Sequence, residues 1–214
     1  MTDSVLKGKA LAVIGDSLIY GARLGNAFTW PNLLGEKHGM TVYNFGKNGN
    51  PIARSAREPQ QIPMCIRYKD MPDDADYVVV LGGANDRRLR IPIGKDDDAT
   101  PDTFKGALNV LIAGLLQKYP HAKILFMTNY NRYPQLTELG TSDIDYVVAM
   151  QEICVIHKIP CYDNYHHSGV DFQSPESLAW IDEGIELEGK PNRHFSKAGY
   201  RYLLPIYEKL LESL

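Results

Sequence analysis

The sequence predicts an α/β protein built around a mostly parallel β-sheet with helices on both of its faces. Short apolar runs typical of buried strands alternate along the chain with segments of helical periodicity. Residues 76–81 are continuously apolar after the first position, as in a parallel strand that is buried on both faces. With 214 residues, 44% of them hydrophobic, the chain is long enough for a sizeable core, so residues 1–214 are expected to form a single domain.

The predicted elements follow one another in the order expected of such a fold. The strands are residues 10–14, 41–45, 76–81, 123–128 and 159–162. The helices are residues 30–38, 100–119, 142–157 and 196–214, and a helix interrupted by prolines is expected within residues 52–66. Thr100-Pro101-Asp102 is typical of a helix start, because threonine caps, proline fits the first turn and an acid interacts favourably with the helix dipole. Residues 164–191 show no clear periodicity and are predicted to form a long loop.

Charge balance and cysteine usage exclude several classes of protein. A net charge of −3 and a pI of about 6.1 give no basic surface for nucleic acid or an anionic membrane. No apolar run reaches the roughly 20 residues that span a bilayer. The three cysteines and the pair His166-His167 lack the spacing of metal ligands, so no metal site is predicted. Because residues 1–9 lack the layout of a signal peptide, a cytoplasmic location with free thiols is expected, and the oligomeric state is left open.

Polar, glycine-rich turns follow each of the first three predicted strands. Ser17 lies just past the first strand, residues 46–51 follow the second, and Asn85 lies in the turn after the third. Because ligands and reacting groups of open α/β sheets collect at the carboxyl ends of the strands, these turns are expected to form one site. Taken singly, Ser17 is more simply a turn or cap residue, and Asn85 more simply closes a turn.

These three turns and a fourth segment near the C-terminus together contain the groups that acyl transfer requires. Ser17 is a candidate nucleophile, and His194, in the loop before the last helix, is the candidate general base. The developing oxyanion needs hydrogen-bond donors, which the Asn85 amide, the Ser17 N–H and the Gly49 N–H can supply. A glycine suits this role because no side chain obstructs a close approach, although Gly46 and Gly49 are also consistent with plain turn glycines.

At these positions the sequence resembles the SGNH, or GDSL-type, hydrolase family. The matching blocks are Gly15-Asp16-Ser17-Leu18, residues 44–49 ending at Gly49, Gly83-Ala84-Asn85-Asp86, and His194 followed by Ser196 and Gly199-Tyr200, in the family's order. The resemblance implies a three-layer α/β/α, flavodoxin-like fold with strand order 2-1-3-4-5. It implies Ser17 as nucleophile, His194 as base, and Ser17, Gly49 and Asn85 as the oxyanion hole. It also implies hydrolysis of esters or thioesters of lipids, carbohydrates or small acyl compounds, for which no metal or organic cofactor is required.

One position departs from this pattern. The family usually carries Asp three residues before the histidine, where this chain has Pro191. Such a carboxylate fixes the imidazole tautomer and stabilises its cation, and in the chymotrypsin-type triad its replacement by an amide costs about 10⁴ in turnover. Three alternatives are open. Asp182 or Glu183 acts as the orienting acid, a backbone carbonyl orients His194 in a Ser–His dyad, or the protein is a catalytically weakened member.

The expected function is that of a serine esterase acting on a small or carbohydrate-linked acyl ester through an acyl-enzyme on Ser17. Thirteen tyrosines and many polar loop residues suit the stacking and hydrogen bonding of sugars. The alternatives are a lysophospholipase- or thioesterase-type lipid hydrolase, and a non-catalytic ligand-binding protein on the same fold. A flavodoxin-like nucleotide-binding protein is disfavoured, because Asp16 places an acid where a phosphate would bind.

Two further expectations concern charged residues near the site. Asp16 is expected to accept hydrogen bonds in its own loop and Asp86 to accept from loop N–H groups, and neither is expected to take part in the chemistry. In the run Arg87-Arg88-Leu89-Arg90, Arg87 is a candidate for binding an acidic group of the substrate, although a solvated loop is the simpler interpretation.

Overall fold

The fold is organised around a parallel five-stranded β-sheet. The computed structural model of the protein describes residues 4–133, 135–181, 186–187, 190–191 and 193–214. The strands of the sheet are β1 (Ala10–Gly15), β2 (Thr41–Gly46), β3 (Tyr77–Leu81), β4 (Lys123–Met127) and β5 (Cys161–Tyr162). They lie in the order β2-β1-β3-β4-β5, and each neighbouring pair is parallel. The predicted fold class and strand order are therefore confirmed.

Helices flank this sheet along the described part of the chain. They are α1 (Ser17–Tyr20), α2 (Trp30–His38), α3 (Met64–Arg67), α4 (Ala84–Arg88), α5 (Phe104–Lys118), α6 (Asp143–His157), α7 (Asn164–His167) and α8 (Lys197–Glu212). A short antiparallel pair, β6 (Glu186–Leu187) and β7 (Lys190–Pro191), precedes α8. None of the helices among the described residues combines the length and the apolar character needed to cross a bilayer.

Both faces of the sheet are covered, which explains why its strands are apolar at consecutive positions. Ala12 and Ile14 of β1 belong to one core together with residues of α5 and α6. Leu11 and Val13 belong to the other core together with residues of α2 and α8. Since successive side chains of a strand point to opposite faces, the result is a three-layer α/β/α arrangement.

The start of α5 differs from the prediction by a few residues. The helix begins at Phe104 rather than near Thr100, because Thr103 is the capping residue and its hydroxyl accepts from the Gly106 N–H at 3.2 Å. The Pro101 carbonyl is used elsewhere, since it accepts a hydrogen bond from the backbone N–H of Arg54 at 2.7 Å. The threonine-proline-acid pattern thus indicated the right region but the wrong cap.

Three other segments also differ from the sequence-based assignment. Of the helix expected within residues 52–66, only the single turn α3 forms, and it begins directly after Pro63. The turn predicted after β3 is helical and forms α4. The loop predicted over residues 164–191 contains α7, a 3-10 turn at Pro175–Ser177 and the β6–β7 pair. The helical state of α4 matters for the site, because it places Asn85 and Arg88 three positions apart on one helix face.

Candidate active site

A cavity of about 600 Å³ opens at the carboxyl ends of the strands, where the sequence predicts the site. Ser17 is the first residue of α1 after β1, Gly49 lies in the loop after β2, and Asn85 lies in α4 after β3. His194 comes shortly before α8, and all four residues line this cavity. Blocks that are far apart in the sequence therefore meet at one place on the edge of the sheet.

The side chains of Ser17 and His194 are hydrogen-bonded to each other. The Ser17 Oγ lies 2.9 Å from the His194 Nε2. Burial lowers the pKa of His194 to about 3, and the positive charges of Arg132 and Arg23 act in the same direction. The imidazole is therefore neutral at pH 7, which leaves Nε2 able to accept the hydroxyl proton as a general base must.

The turn that carries Ser17 is fixed by a cap and by a close approach of two backbone segments. The Asp16 carboxylate caps α1 by accepting from the Leu18 N–H at 2.9 Å. The end of β2 lies so near α1 that a Cβ at Gly46 would be 2.1 Å from the backbone nitrogen of Tyr20. Glycine is required there because the obstructing atom belongs to the backbone and cannot rotate away.

Both ends of the Asn85 side-chain amide are held by neighbouring groups. Its Nδ2 donates to the Asp16 Oδ2 at 3.1 Å, and its Oδ1 accepts from the Arg88 Nε at 3.0 Å. An amide nitrogen carries two hydrogens, so one remains for a ligand after the contact with Asp16 is made. Asn85 therefore presents a donor to the cavity in an orientation that two buried contacts define.

Arg88 connects the Asn85 amide to the loop that carries Gly49. Its guanidinium donates to the Gly49 carbonyl at 3.3 Å, and it contacts the two carboxylate oxygens of Glu58 at 2.7 and 3.2 Å. Hydrogen bonding from Arg88 lowers the pKa of Glu58, so this carboxylate is charged at neutral pH. Gly49 itself has a φ of +68°, in the region that favours glycine. Arg88 thus contacts both helix α4, which carries Asn85, and the loop that carries Gly49, the two segments with predicted oxyanion donors.

The residues that follow His194 hold it against the turn that carries Ser17. Phe195 is buried, packs edge-on against Tyr200 and pairs through its backbone with Ile181. The Tyr200 hydroxyl donates to the Leu18 carbonyl at 2.7 Å. Consequently α8, which begins just after the histidine, is attached directly to α1, which begins with Ser17.

A reciprocal pair of arginine contacts holds the backbone on the other side of His194. The Arg132 guanidinium donates to the Arg193 carbonyl, and the Arg193 guanidinium donates to the Arg132 carbonyl. The loop of Arg132 is fixed in turn by Asp143, whose Oδ2 accepts from the N–H groups of Arg132 and Tyr133, each at 2.8 Å. Since Arg193 directly precedes His194, these contacts link the imidazole to the segment after β4.

Asp16 and Asp86 are placed as hydrogen-bond acceptors within the loops, as the sequence suggests. Asp86 accepts from the N–H groups of Ile52 and Ala53 at 2.9 and 2.8 Å. Burial raises the pKa of Asp86 to about 7, and it also raises the pKa of Asp16. The Ile52 carbonyl accepts from the Cys65 N–H at 3.2 Å rather than from the N–H four residues further on, which explains in part why the helix expected over this segment does not form.

Two residues of the predicted site, Asp182 and Arg87, are not among the described residues that line the cavity, for different reasons. Asp182, the candidate orienting acid, lies outside the described residues, as does its alternative Glu183. Arg87 is not among the described residues that line the cavity. Its guanidinium lies 4.7 Å from the ring centroid of Tyr133 and its Nε lies 3.6 Å from Asp143. The next residue, Arg88, lines the cavity instead.

Sequence reasoning missed four charged residues of the described cavity wall: Arg23, Arg88, Arg132 and Glu58. Arg88 could have been found had residues 84–88 been recognised as helical, because a residue three positions after Asn85 then lies beside it. Arg132 follows β4 and could have been found by applying the strand-end rule to the fourth strand as well. No local signal identifies Glu58, whose position depends on an irregular segment.

The described residues contain no group of three or more His, Cys, Asp and Glu side chains placed to hold a metal ion. In the pair His166-His167, the first histidine has a local partner, since its Nδ1 lies 2.7 Å from the Asp163 Oδ2. Asp163 also caps α7 by accepting from the His166 N–H at 3.2 Å. These contacts explain the position of His166 without a ligand.

A parallel sheet of order 2-1-3-4-5 with a hydrogen-bonded serine and histidine at its carboxyl edge defines the class of GDSL-type hydrolases. The sequence agrees with this class: residues 13–202 match the GDSL-like lipase/acylhydrolase family. Because the match includes all four blocks, the chain belongs to that family. A comparison with curated protein sequences gave no significant match.

Solved structures agree with this assignment of the fold. One protein of known structure is 29% identical to this chain, with a TM-score of 0.85 over 98% of both chains. A protein from Lactobacillus plantarum is 25% identical, with a TM-score of 0.83 over 97% of this chain and 98% of the other. An aryl esterase from M. smegmatis has the same fold at 18% identity, with a TM-score of 0.67 over 96% of this chain and 99% of that protein.

Proposed function

We propose that this GDSL-type hydrolase is a serine esterase that cleaves a small or carbohydrate-linked acyl ester through an acyl-enzyme on Ser17. The observation that carries the proposal is the 2.9 Å separation of the Ser17 Oγ and the His194 Nε2 within a cavity of substrate size. A hydroxyl paired in this way with a neutral imidazole is the arrangement of an activated nucleophile.

The proposed reaction has two acyl-transfer steps. In the first, Ser17 Oγ attacks the ester carbonyl while His194 takes the hydroxyl proton, and the histidine then returns that proton to the departing alcohol. In the second, a water molecule gives a proton to His194 and attacks the acyl-enzyme, and the proton returns to Ser17 Oγ as the acid leaves.

The proposed oxyanion hole consists of the Asn85 amide and the backbone N–H groups of Ser17 and Gly49. Support comes from the convergence of these three residues on one cavity wall and from the contacts of Arg88 with Asn85 and Gly49. Donors that are fixed before the reaction stabilise the tetrahedral intermediate without having to reorganise.

For the residue that orients His194 we propose Asp182. The support is one of chain position: Asp182 directly follows Ile181, and Ile181 pairs antiparallel with Phe195, which directly follows His194. We expect Asp182→Asn to lower turnover much more than the matched change Glu183→Gln. Equal, wild-type-like rates in the two variants would instead favour a Ser–His dyad that a backbone carbonyl orients.

A polar substrate suits this cavity better than an acyl lipid does. The described residues that line it are mainly hydrogen-bonding or charged, and they include Asn48, Gln61, Asn85 and Arg88. A long acyl chain needs apolar lining to gain from burial, whereas hydroxyl and carbonyl groups of a carbohydrate ester need donors and acceptors. The donors and acceptors on the wall therefore favour the small or carbohydrate-linked ester over the substrate of a lysophospholipase- or thioesterase-type lipid hydrolase.

The test combines covalent trapping with turnover. We expect a fluorophosphonate to label the wild-type protein at Ser17 and to leave Ser17→Ala unlabelled. We also expect wild type to release 4-nitrophenol from 4-nitrophenyl acetate and Ser17→Ala to release it at the background rate. Background release by both proteins, together with no labelling, would contradict the esterase and favour a ligand-binding protein on this fold.

A further inference from the structure

Among the described residues, the wall of the cavity beside Ser17 has more basic than acidic side chains. The described residues of its wall include three arginines, Arg23, Arg88 and Arg132, and one acid, Glu58. Glu58 is already matched, because both of its carboxylate oxygens contact the Arg88 guanidinium. Since an Arg–carboxylate pair of this kind is close to neutral as a unit, Arg88 is not the candidate for binding an anion.

Arg132 is buried without a full set of hydrogen-bond partners. It is 3% exposed, and its Nε has no partner among the described residues. The nearest carboxylate oxygen recorded for its side chain is the Asp16 Oδ2, which lies 3.9 Å from Nη1 and so beyond hydrogen-bond distance. Its Nη2 donates to the Arg193 carbonyl. A buried guanidinium is costly unless its donors and its charge are matched, so Arg132 is matched only in part.

The groups already near Arg132 do not complete its partners. The Asp16 carboxylate already accepts hydrogen bonds from the Leu18 N–H and from the Asn85 amide. The ring centroids of Tyr133 and Phe172 lie 5.8 and 5.4 Å from the Arg132 guanidinium carbon. Such contacts offset part of the cost of burying the cation, but they do not accept hydrogen bonds from the guanidinium N–H groups. An anion entering the cavity would supply an acceptor for the Arg132 Nη1, whereas the Nε is too enclosed for a ligand to reach.

We propose that the ester bound in this cavity carries a carboxylate, and that the Arg132 guanidinium pairs with that carboxylate. This proposal rests on the proposed esterase function and names the substrate class of the same site. Arg132 is then a substrate-binding residue. The role that the sequence suggests for Arg87 falls instead to an arginine in the loop after β4.

A carboxylate at this position would also assist the base. His194 becomes a cation in each transition state, and the charges of Arg132 and Arg23 oppose that change. A substrate anion next to Arg132 reduces this opposition, so a charged ester gains in the transition state as well as in binding. We therefore expect the preference for a charged ester to be seen in kcat as well as in KM.

The test uses pairs of esters that differ in one charge. For a carboxylate on the acyl side, the 4-nitrophenyl monoester of glutaric acid is compared with 4-nitrophenyl pentanoate. For a carboxylate on the alcohol side, 4-acetoxybenzoate is compared with its methyl ester. In one of the two pairs we expect kcat/KM of the charged ester to be about 10- to 100-fold higher, the range of a charge-assisted hydrogen bond, and to fall with added salt. No preference in either pair would overturn the proposal.

Variants show whether Arg132 causes the preference. We expect Arg132→Gln to lower the charged-to-neutral ratio to near one and Arg132→Lys to retain part of it. Arg90→Gln removes one positive charge outside the described cavity wall and should leave the ratio unchanged. If Arg132→Gln does not fold, Arg132→Lys is measured in its place and should lower the ratio in part, while an unchanged ratio in the folded variant would contradict the proposal.

The outcome separates this proposal from the proposed function. Hydrolysis of the neutral esters that depends on Ser17, with no preference for charge, would overturn the carboxylate site and leave the esterase intact. Failure of all four esters together with no labelling of Ser17 by a fluorophosphonate would overturn both. Competitive inhibition by glutarate but not by its neutral diamide gives a binding readout that does not require turnover and supports the carboxylate site.

Discussion

Replacing Asn85 by Ala tests the proposed oxyanion hole most directly. The structure gives Asn85 Nδ2 one hydrogen bond to Asp16 and leaves the other hydrogen for the substrate. The change therefore removes one donor out of three, and the loss of one such donor costs about 10²–10³ in kcat, or about 2.7–4 kcal/mol. Because the contact is made to the oxyanion and not to the ground-state ester, kcat and kcat/KM should fall by the same factor.

The assay is the steady-state hydrolysis of a neutral 4-nitrophenyl ester, with circular dichroism to show that each variant is folded. Asn48→Ala is the matched control, because it removes an amide from the same cavity wall without removing a proposed donor. We expect the control to change KM more than kcat. A folded Asn85→Ala protein that retains kcat close to the wild-type value would refute the assignment of its amide to the oxyanion hole.

Three further predictions concern His194, the proposed base, and the contacts of Gly46 and Tyr200 with the turn that carries Ser17. Because the pKa of His194 is lowered to about 3, the imidazole stays unprotonated at pH 5. The value of kcat/KM for a neutral ester at pH 5 should therefore be nearly the same as at pH 7. A fall of kcat/KM with an apparent pKa near 6.5 would contradict the lowering of the pKa by burial. Gly46→Ala places a methyl group against the backbone of Tyr20, so thermal unfolding should show a loss of about 1–3 kcal/mol, and an unchanged Tm would refute the close approach. Tyr200→Phe leaves the buried Leu18 carbonyl without its donor. Urea denaturation should therefore show a free energy of unfolding lower by about 1–3 kcal/mol, together with a lower kcat. Wild-type values of both quantities would be evidence against this link between α8 and α1.

The parts of the fold that could be predicted are those that local periodicity and end signals determine. Helix α6 is an example: Ser142 and Asp145 form a capping box, and the helix runs over the residues that its pattern indicates. Helix α2 likewise begins with Pro31 in its first turn and ends at Gly39, whose φ of +64° suits a glycine after a helix. In both cases the signal and the structure involve the same few residues.

The parts that could not be predicted depend on partners distant in sequence. The segment from residue 52 could form a helix by its apolar pattern, but the Ile52 carbonyl, which a helix would pair with the N–H four residues further on, accepts from the more distant Cys65 N–H. The same holds for the site. Ser17, Asn85 and His194 follow recognisable strand ends, whereas the importance of Arg132 depends on its burial and on its reciprocal contact with Arg193. No periodicity in the sequence reports either property.

The backbone pairing just outside the histidine has a consequence for how much the intervening segment can change in length. Ile181 pairs with Phe195, and the Ser196 N–H donates to the Trp180 carbonyl at 3.0 Å, so the two ends of the segment are tied to each other. Lengthening a stretch whose ends are already joined adds little entropic cost, because that cost grows only with the logarithm of the number of residues. Residues could therefore be inserted between Asp182 and Arg193 while Tyr200 and Phe195 keep the imidazole at the hydroxyl. This makes the segment a suitable place for new side chains beside the proposed active site.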